Sequence, residues 1–183
     1  MKKLFFVIMA VFVAVGANAQ KAKTTSSKSS GIYAGGGISF QSTSDETAIT
    51  IIPEIGGHIN DKMGWGVRVG FGSEGSGDSK YTIFQIKPYL RHTIYSIGQV
   101  GVILDYHLLY ESAGIKDNKT NTFGLGVAPG LALNVNSKIS VVTHLGFLGY
   151  TSSKEDVEGA EAVNLFTLKA NSENIGLSVY YNF

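Results

Sequence analysis

The chain has no cysteine, three prolines and one tryptophan in 183 residues. Without cysteine there is no disulfide scaffold, and no thiol follows the N-terminal leader to carry a lipid anchor. After residue 15 no stretch approaches the roughly 18 consecutive apolar residues of a membrane-crossing helix, which excludes a helical membrane protein. Neither sign of charge dominates, with 15 Lys and Arg against 14 Asp and Glu, so nothing here attracts nucleic acid. A G-x-S-x-G nucleophile motif is missing. The four histidines, His58, His92, His107 and His144, show no H-x-x-x-H or H-E-x-x-H spacing. The chain is therefore expected not to be an enzyme, with no catalytic residue, cofactor-binding residue, cofactor or metal ligand. Gly70 to Gly75 formally fits G-x-G-x-x-G, but no helical pattern follows it, so it reads as the opening of a loop. Asn118-Lys119-Thr120 fits a glycosylation triplet only by chance.

What is present is glycine, 23 of them, and alternation. The N-terminus carries Lys2 and Lys3, an apolar run over residues 4–15, and Ala17-Asn18-Ala19. That is a cleavable export signal over residues 1–19, cut before Gln20 and routed through the Sec pathway. Residues 20–30 are Ser/Thr/Lys-rich and patternless, and read as a disordered periplasmic linker. From residue 31 to residue 183 apolar residues recur at every second position, the period of a strand with one greasy face. The clearest case is residues 63–72. Trp65, Val67, Val69 and Phe71 fall on one face, and Gly64, Gly66, Arg68 and Gly70 on the other.

The same pattern gives strands over residues 31–42, 48–59, 63–72, 81–92, 100–111, 122–133 and 139–150, then a last strand that ends the chain. Compact turns at 60–62, 95–98 and 134–138 alternate with connections at 43–47, 73–80, 112–121 and 151–162. This rhythm of short turns and longer, charge-richer loops is that of outer-membrane barrels. Pro53, Pro88 and Pro129 sit on the outward phase of even-numbered strands. A proline cannot donate to the ladder, so each predicts a bulge or a ladder gap near the short-turn rim. Phe40, Trp65, Phe71, Phe84, Tyr106, Tyr110, Phe123 and Phe147 share the outward phase, as interfacial aromatic girdles would.

The chain ends on residues 175–183, IGLSVYYNF, with Leu177, Val179, Tyr181 and Phe183 on one face and Gly176, Ser178, Tyr180 and Asn182 on the other. This ending resembles the terminal strand of small outer-membrane β-barrel proteins of Gram-negative bacteria, the OmpA/OmpX-like and porin-like family. The resemblance implies that Leu177, Val179, Tyr181 and Phe183 are an assembly signal read by the barrel-assembly machinery. It also implies an all-β fold, an eight-stranded antiparallel up-and-down transmembrane β-barrel in the outer membrane. Its partners would be outer-membrane lipid and the assembly machinery, and it would be a monomer. The role so implied is structural, or surface interaction through extracellular loops. A narrow passive channel is the first alternative. A soluble lipocalin-like carrier, with the apolar face turned inward around a ligand, is the second.

Two details test this frame. Phe166, Leu168 and Ala170 are out of phase with residues 175–183. Either a bulge over 171–174 resets the phase, or the upper part of the strand projects beyond the membrane. On the inward phase, equal counting from the 60–62 turn places Glu54 opposite Arg68. Counting from Ser96 places Lys87 opposite Asp105. Glu54, Arg68, Lys87 and Asp105 are thus expected to form a lumen charge network at mid-height, with His107 and His144 near it, since charges are kept inside a fold only when paired.

Overall fold

The computed structural model describes residues 31–42, 47–74, 80–115, 118–157, 159–169 and 177–183. The expected signal peptide, the linker 20–30 and the bulge over 171–174 lie outside them. The elements are β1 (Ile32–Ser42), β2 (Thr47–His58), β3 (Met63–Glu74), β4 (Tyr81–Ile97), β5 (Val100–Ile115), β6 (Asn118–Asn134), β7 (Ile139–His144), β8 (Phe147–Glu155), β9 (Val163–Lys169) and β10 (Leu177–Asn182). Each of β1 to β6 pairs antiparallel with its successor, β6 pairs with β7, β7 with β10, and β10 with β1. That circuit closes an eight-stranded antiparallel barrel. β8 and β9 extend its wall beyond β7 and β10, so the seventh and eighth strands expected from the sequence are each two segments.

Alternation decides which face looks where. Trp65, Phe71, Ile55, Leu125, Val179 and Tyr181 are exposed on the outside, while Arg68, Glu54, Asp105, Tyr89 and Tyr180 are buried inside. A soluble carrier needs the opposite arrangement, and that reading is set aside. Opposed aromatics make part of the outer girdle. Phe71 faces Phe84 with ring centroids 5.5 Å apart, and Tyr110 faces Phe123 at 5.0 Å.

Several inward glycines lie beneath aromatic rings. Tyr33 lies over Gly56, Tyr89 over Gly66, and Phe147 over Gly126 and Gly149. An eight-stranded lumen is only wide enough for side chains to fill, so a large residue on one strand requires an almost absent one on its neighbour. Gly66→Val would drive its methyls into the Tyr89 ring. It is expected to destabilise the barrel by about 1–3 kcal/mol, the cost of overpacking. Gly101→Ala, whose methyl meets nothing nearer than Thr93 Cγ2 at 3.3 Å, costs less. Urea midpoints of the two variants in detergent check the order.

All three prolines sit at interruptions of the ladder to the following strand. The β2–β3 register omits Pro53, and the β4–β5 register omits Pro88. Pro129 lies where β6 passes from pairing with β7 to pairing with β8. On the other side each proline is paired, with Gly36, Val67 and Leu104 respectively. The missing N–H explains the one-sided gap. Pro53 and Pro129 lie near their short turns, whereas Pro88 is farther from its own.

Opposite Pro129 the seventh strand breaks at Leu145 and Gly146, and Leu145 N donates to Pro129 O at 2.9 Å. Gly130 pairs with His144, but Val127 pairs with Leu148, so one extra residue is accommodated. An odd insertion reverses the facing of everything after it. Phe147, expected in the outer girdle, therefore points inward, with its ring 5.3 Å from that of His107. Leu148 and Tyr150 take the outer face instead.

A second phase change separates β9 from β10. Phe166 and Leu168 oppose the outward Tyr150 and Leu148, while in β10 Val179 and Tyr181 are the outward pair.

The connections also differ from expectation. β4 continues to Ile97 and turns at Gly98 and Gln99, with Gly98 at φ 58°, a conformation glycine adopts without penalty. A register shift between Thr93 and Tyr95 precedes the turn. β5 and β6 pair as far as Ile115 and Asn118, so the loop expected over 112–121 is mostly ladder. These strands have 16 and 17 residues. At about 3.4 Å per residue and a tilt near 40° they rise roughly 40 Å, well beyond an apolar band of about 25 Å. The hairpin therefore stands clear of that band at the rim opposite the short turns.

Candidate functional site

The lumen is crossed at mid-height by a cluster built from residues of β1, β2, β3, β4, β5, β7 and β10. β2 and β3 are joined by a turn in which Asn60 Oδ1 accepts from the backbone N–H groups of Lys62 and Met63, each at 2.9 Å. That tight connection fixes the register, and Glu54 faces Arg68 across the pair. Arg68 Nε donates to Glu54 Oε2 at 2.7 Å, and Arg68 Nη2 to Asp105 Oδ2 at 2.5 Å. One guanidinium thus holds two carboxylates, the fork geometry that lysine cannot supply.

Asp105 is 0% exposed. It is clamped on its other side by Arg91, whose Nε reaches Oδ1 at 2.8 Å and whose Nη2 reaches Oδ2 at 2.9 Å. His144 Nε2 lies 2.8 Å from the same Oδ2. Glu54 is completed by two tyrosines, Tyr180 donating to Oε2 at 2.8 Å and Tyr89 donating to Oε1. Tyr33 and Tyr89 hydroxyls are 2.6 Å apart, and Tyr33 also donates to the Trp65 carbonyl at 3.1 Å. The Arg68 guanidinium stacks over the Tyr89 ring at 4.3 Å and that of Arg91 at 5.0 Å. Two cations face two carboxylates, and every carboxylate oxygen has a donor. That is the condition under which buried charges are tolerated.

Of the four residues expected here, Glu54, Arg68 and Asp105 come together. Lys87 does not join Asp105. It lies across from Arg68 on the β3–β4 ladder, and the partner of Asp105 on β4 is Arg91. The turn centre lies near Gly98 and not at Ser96, which moves the partner along β4 by an even number of residues. The inward facing survives such a shift, but the pairing changes. His107 is buried nearby with Nδ1 3.3 Å from the Asp105 carbonyl, and His144 joins the network directly. Arg91, Tyr33, Tyr89 and Tyr180 all have the inward parity of their strands, but their convergence depends on barrel closure. The glycine at position 98 was the one local signal that could have placed the turn and so found Arg91.

Chemically the cluster is a closed set of ion pairs. Asp105 and His144 make an acid–imidazole pair, but the other neighbour of His144 Nε2 is Arg68 Nη2 at 3.4 Å, not a hydroxyl. Between the cluster and the short-turn rim is a polar cavity of about 170 Å³ that reaches Tyr33, Arg91, Tyr180 and Asn182 and stops at the network. At the opposite rim a groove of about 600 Å³ opens on the outer surface beside Phe123 and Lys154.

The chain matches no protein-family model and no curated protein. Among solved structures, the crystal structure of Neisserial surface protein A (NspA) is similar, with a TM-score of 0.52 at 17% identity over 84% of this chain and 96% of that one. At this identity the likeness concerns the course of the backbone alone. With its apolar face outward and its charges sealed inside, this chain has the fold of a small eight-stranded membrane β-barrel protein.

Proposed function

We propose that this protein is an outer-membrane barrel with a sealed lumen, acting as a structural or surface-interaction protein through the segments that rise beyond the membrane. The observation that carries this reading is the network of Glu54, Arg68, Asp105 and Arg91, which joins four strands across a lumen already filled by Tyr33, Tyr89 and Tyr180. A barrel built for passage would not spend its mid-section on a fully paired plug. What recognition exists then belongs to loops and hairpin tips held by a rigid wall. In this reading the chain is exported through the Sec pathway, and Leu177, Val179, Tyr181 and Phe183 are read by the barrel-assembly machinery. The short turns are periplasmic, the β5–β6 hairpin is extracellular, and the barrel is a monomer in the lipid.

Planar-bilayer recording tests it. The native barrel is expected to give no steady ionic current. Replacing Arg68, Tyr89 and Arg91 together by alanine empties the middle of the lumen. In a variant that retains the heat-dependent gel mobility of a folded barrel, this change is expected to open one. Steady current through the native protein would replace the sealed reading with that of a narrow channel.

A further inference from the structure

We propose that the outer surface of β6, β8 and β9, at the upper edge of the apolar band, is a binding site for a phosphorylated glycolipid of the surrounding leaflet. This rests on the reading that a bilayer surrounds the barrel. The ladders set the surface in tiers. Leu125, Tyr150 and Phe166 stand in one row. All three are exposed outward, Phe166 at 70%. The next row is Phe123, Ser152 and Asn164, with Phe123 braced by Tyr110. Above it Asn121 faces Lys154, and alternation places Lys119 on the same face one step higher. Thus an apolar pad for acyl chains passes into an aromatic shelf, then into amide, hydroxyl and ammonium groups.

At that transition lies the groove of about 600 Å³, whose lining includes Asn121, Phe123, Ser152, Lys154, Glu155 and Asp156. The polar set selects the occupant. Lysines at a membrane surface attract lipid phosphate. Glu155 and Asp156 would repel a bare phosphate head, but they accept hydrogen bonds from sugar hydroxyls, and the face of Phe123 suits the apolar face of a sugar ring. A phosphorylated sugar uses all of these groups, whereas a phospholipid head uses the lysines and is opposed by the carboxylates.

Native mass spectrometry of the folded full-length protein in neutral detergent tests the site with three probes: a bis-phosphorylated, acylated glucosamine disaccharide, its dephosphorylated form, and phosphatidylglycerol. One molecule of the bis-phosphorylated probe is expected to stay bound, with at least tenfold less of either other lipid. Lys119→Gln with Lys154→Gln should lower its retention about tenfold, as should Glu155→Gln with Asp156→Asn. Lys62→Gln with Lys138→Gln, at the opposite rim, should leave it unchanged. Equal retention of phosphatidylglycerol, or higher retention after removal of the carboxylates, would overturn the proposal. So would indifference to loss of the two lysines. Release of the protein from membranes by carbonate would instead defeat the bilayer reading itself, whereas firm membrane retention with no lipid captured defeats only this site.

Discussion

Asp105→Ala is expected to be the most damaging single substitution, lowering the stability of the folded barrel by about 3–5 kcal/mol, the range for removing one partner of a buried ion pair. Asp105 is fully buried and receives Arg68, Arg91 and His144. Its loss leaves two guanidinium groups inside a wall of strands with Glu54 as the only carboxylate of the cluster. Tyr33, Tyr89 and Tyr180 fill the lumen beside it, and the small cavity on the short-turn side reaches Arg91 without supplying a countercharge. Urea unfolding of the barrel in phospholipid vesicles measures the effect as a shift of midpoint at constant slope. Combining Asp105→Ala with Arg91→Met restores the balance of charge and should recover part of the loss, a coupling expected of groups in one network. A midpoint within roughly 0.5 kcal/mol of the native protein, the range of an ordinary surface change, would show that the network does not hold the barrel.

Ile55→Arg should cost about 2–4 kcal/mol in the same vesicles, the penalty of a cation on the lipid face near mid-depth. Ile55 is 53% exposed, beside Glu54 in sequence but on the opposite face of β2. In water an arginine there would be harmless, within roughly 0.5 kcal/mol. The substitution therefore reports on the medium around the barrel more than on the barrel itself. Asp61→Arg, in the exposed turn between β2 and β3, is the control and should change stability little. An unchanged midpoint for Ile55→Arg would place that face in water and remove the membrane assignment.

Local rules carried much of the architecture. The period of two put Trp65 and Tyr181 outside and Arg68, Tyr89, Asp105 and Tyr180 inside, because side-chain direction along a strand needs only sequence parity. Glu54 met Arg68 because one tight turn sets that register. Pro53, Pro88 and Pro129 marked the ladder gaps because a missing N–H is a covalent fact.

Parity fails wherever the chain inserts one residue. The break opposite Pro129 turned Phe147 from the girdle into the lumen, and nothing in the alternation of the neighbouring residues announces a bulge. Partnership fails when a turn is misplaced, even by an even number of residues, which is how Lys87 took the place belonging to Arg91.

Sequence by itself determined the two faces of the wall, the number of strands in the circuit and the inward residues available to fill it. Only the closed tertiary structure decided which of those residues meet. Tyr180 and Glu54, 126 residues apart, touch because β10 returns to pair with β1. His144 and Arg91 share Asp105 because an eight-stranded circle is narrow enough for opposite walls to reach one another. Facing is a property of one strand, whereas contact across a lumen is a property of the whole ring.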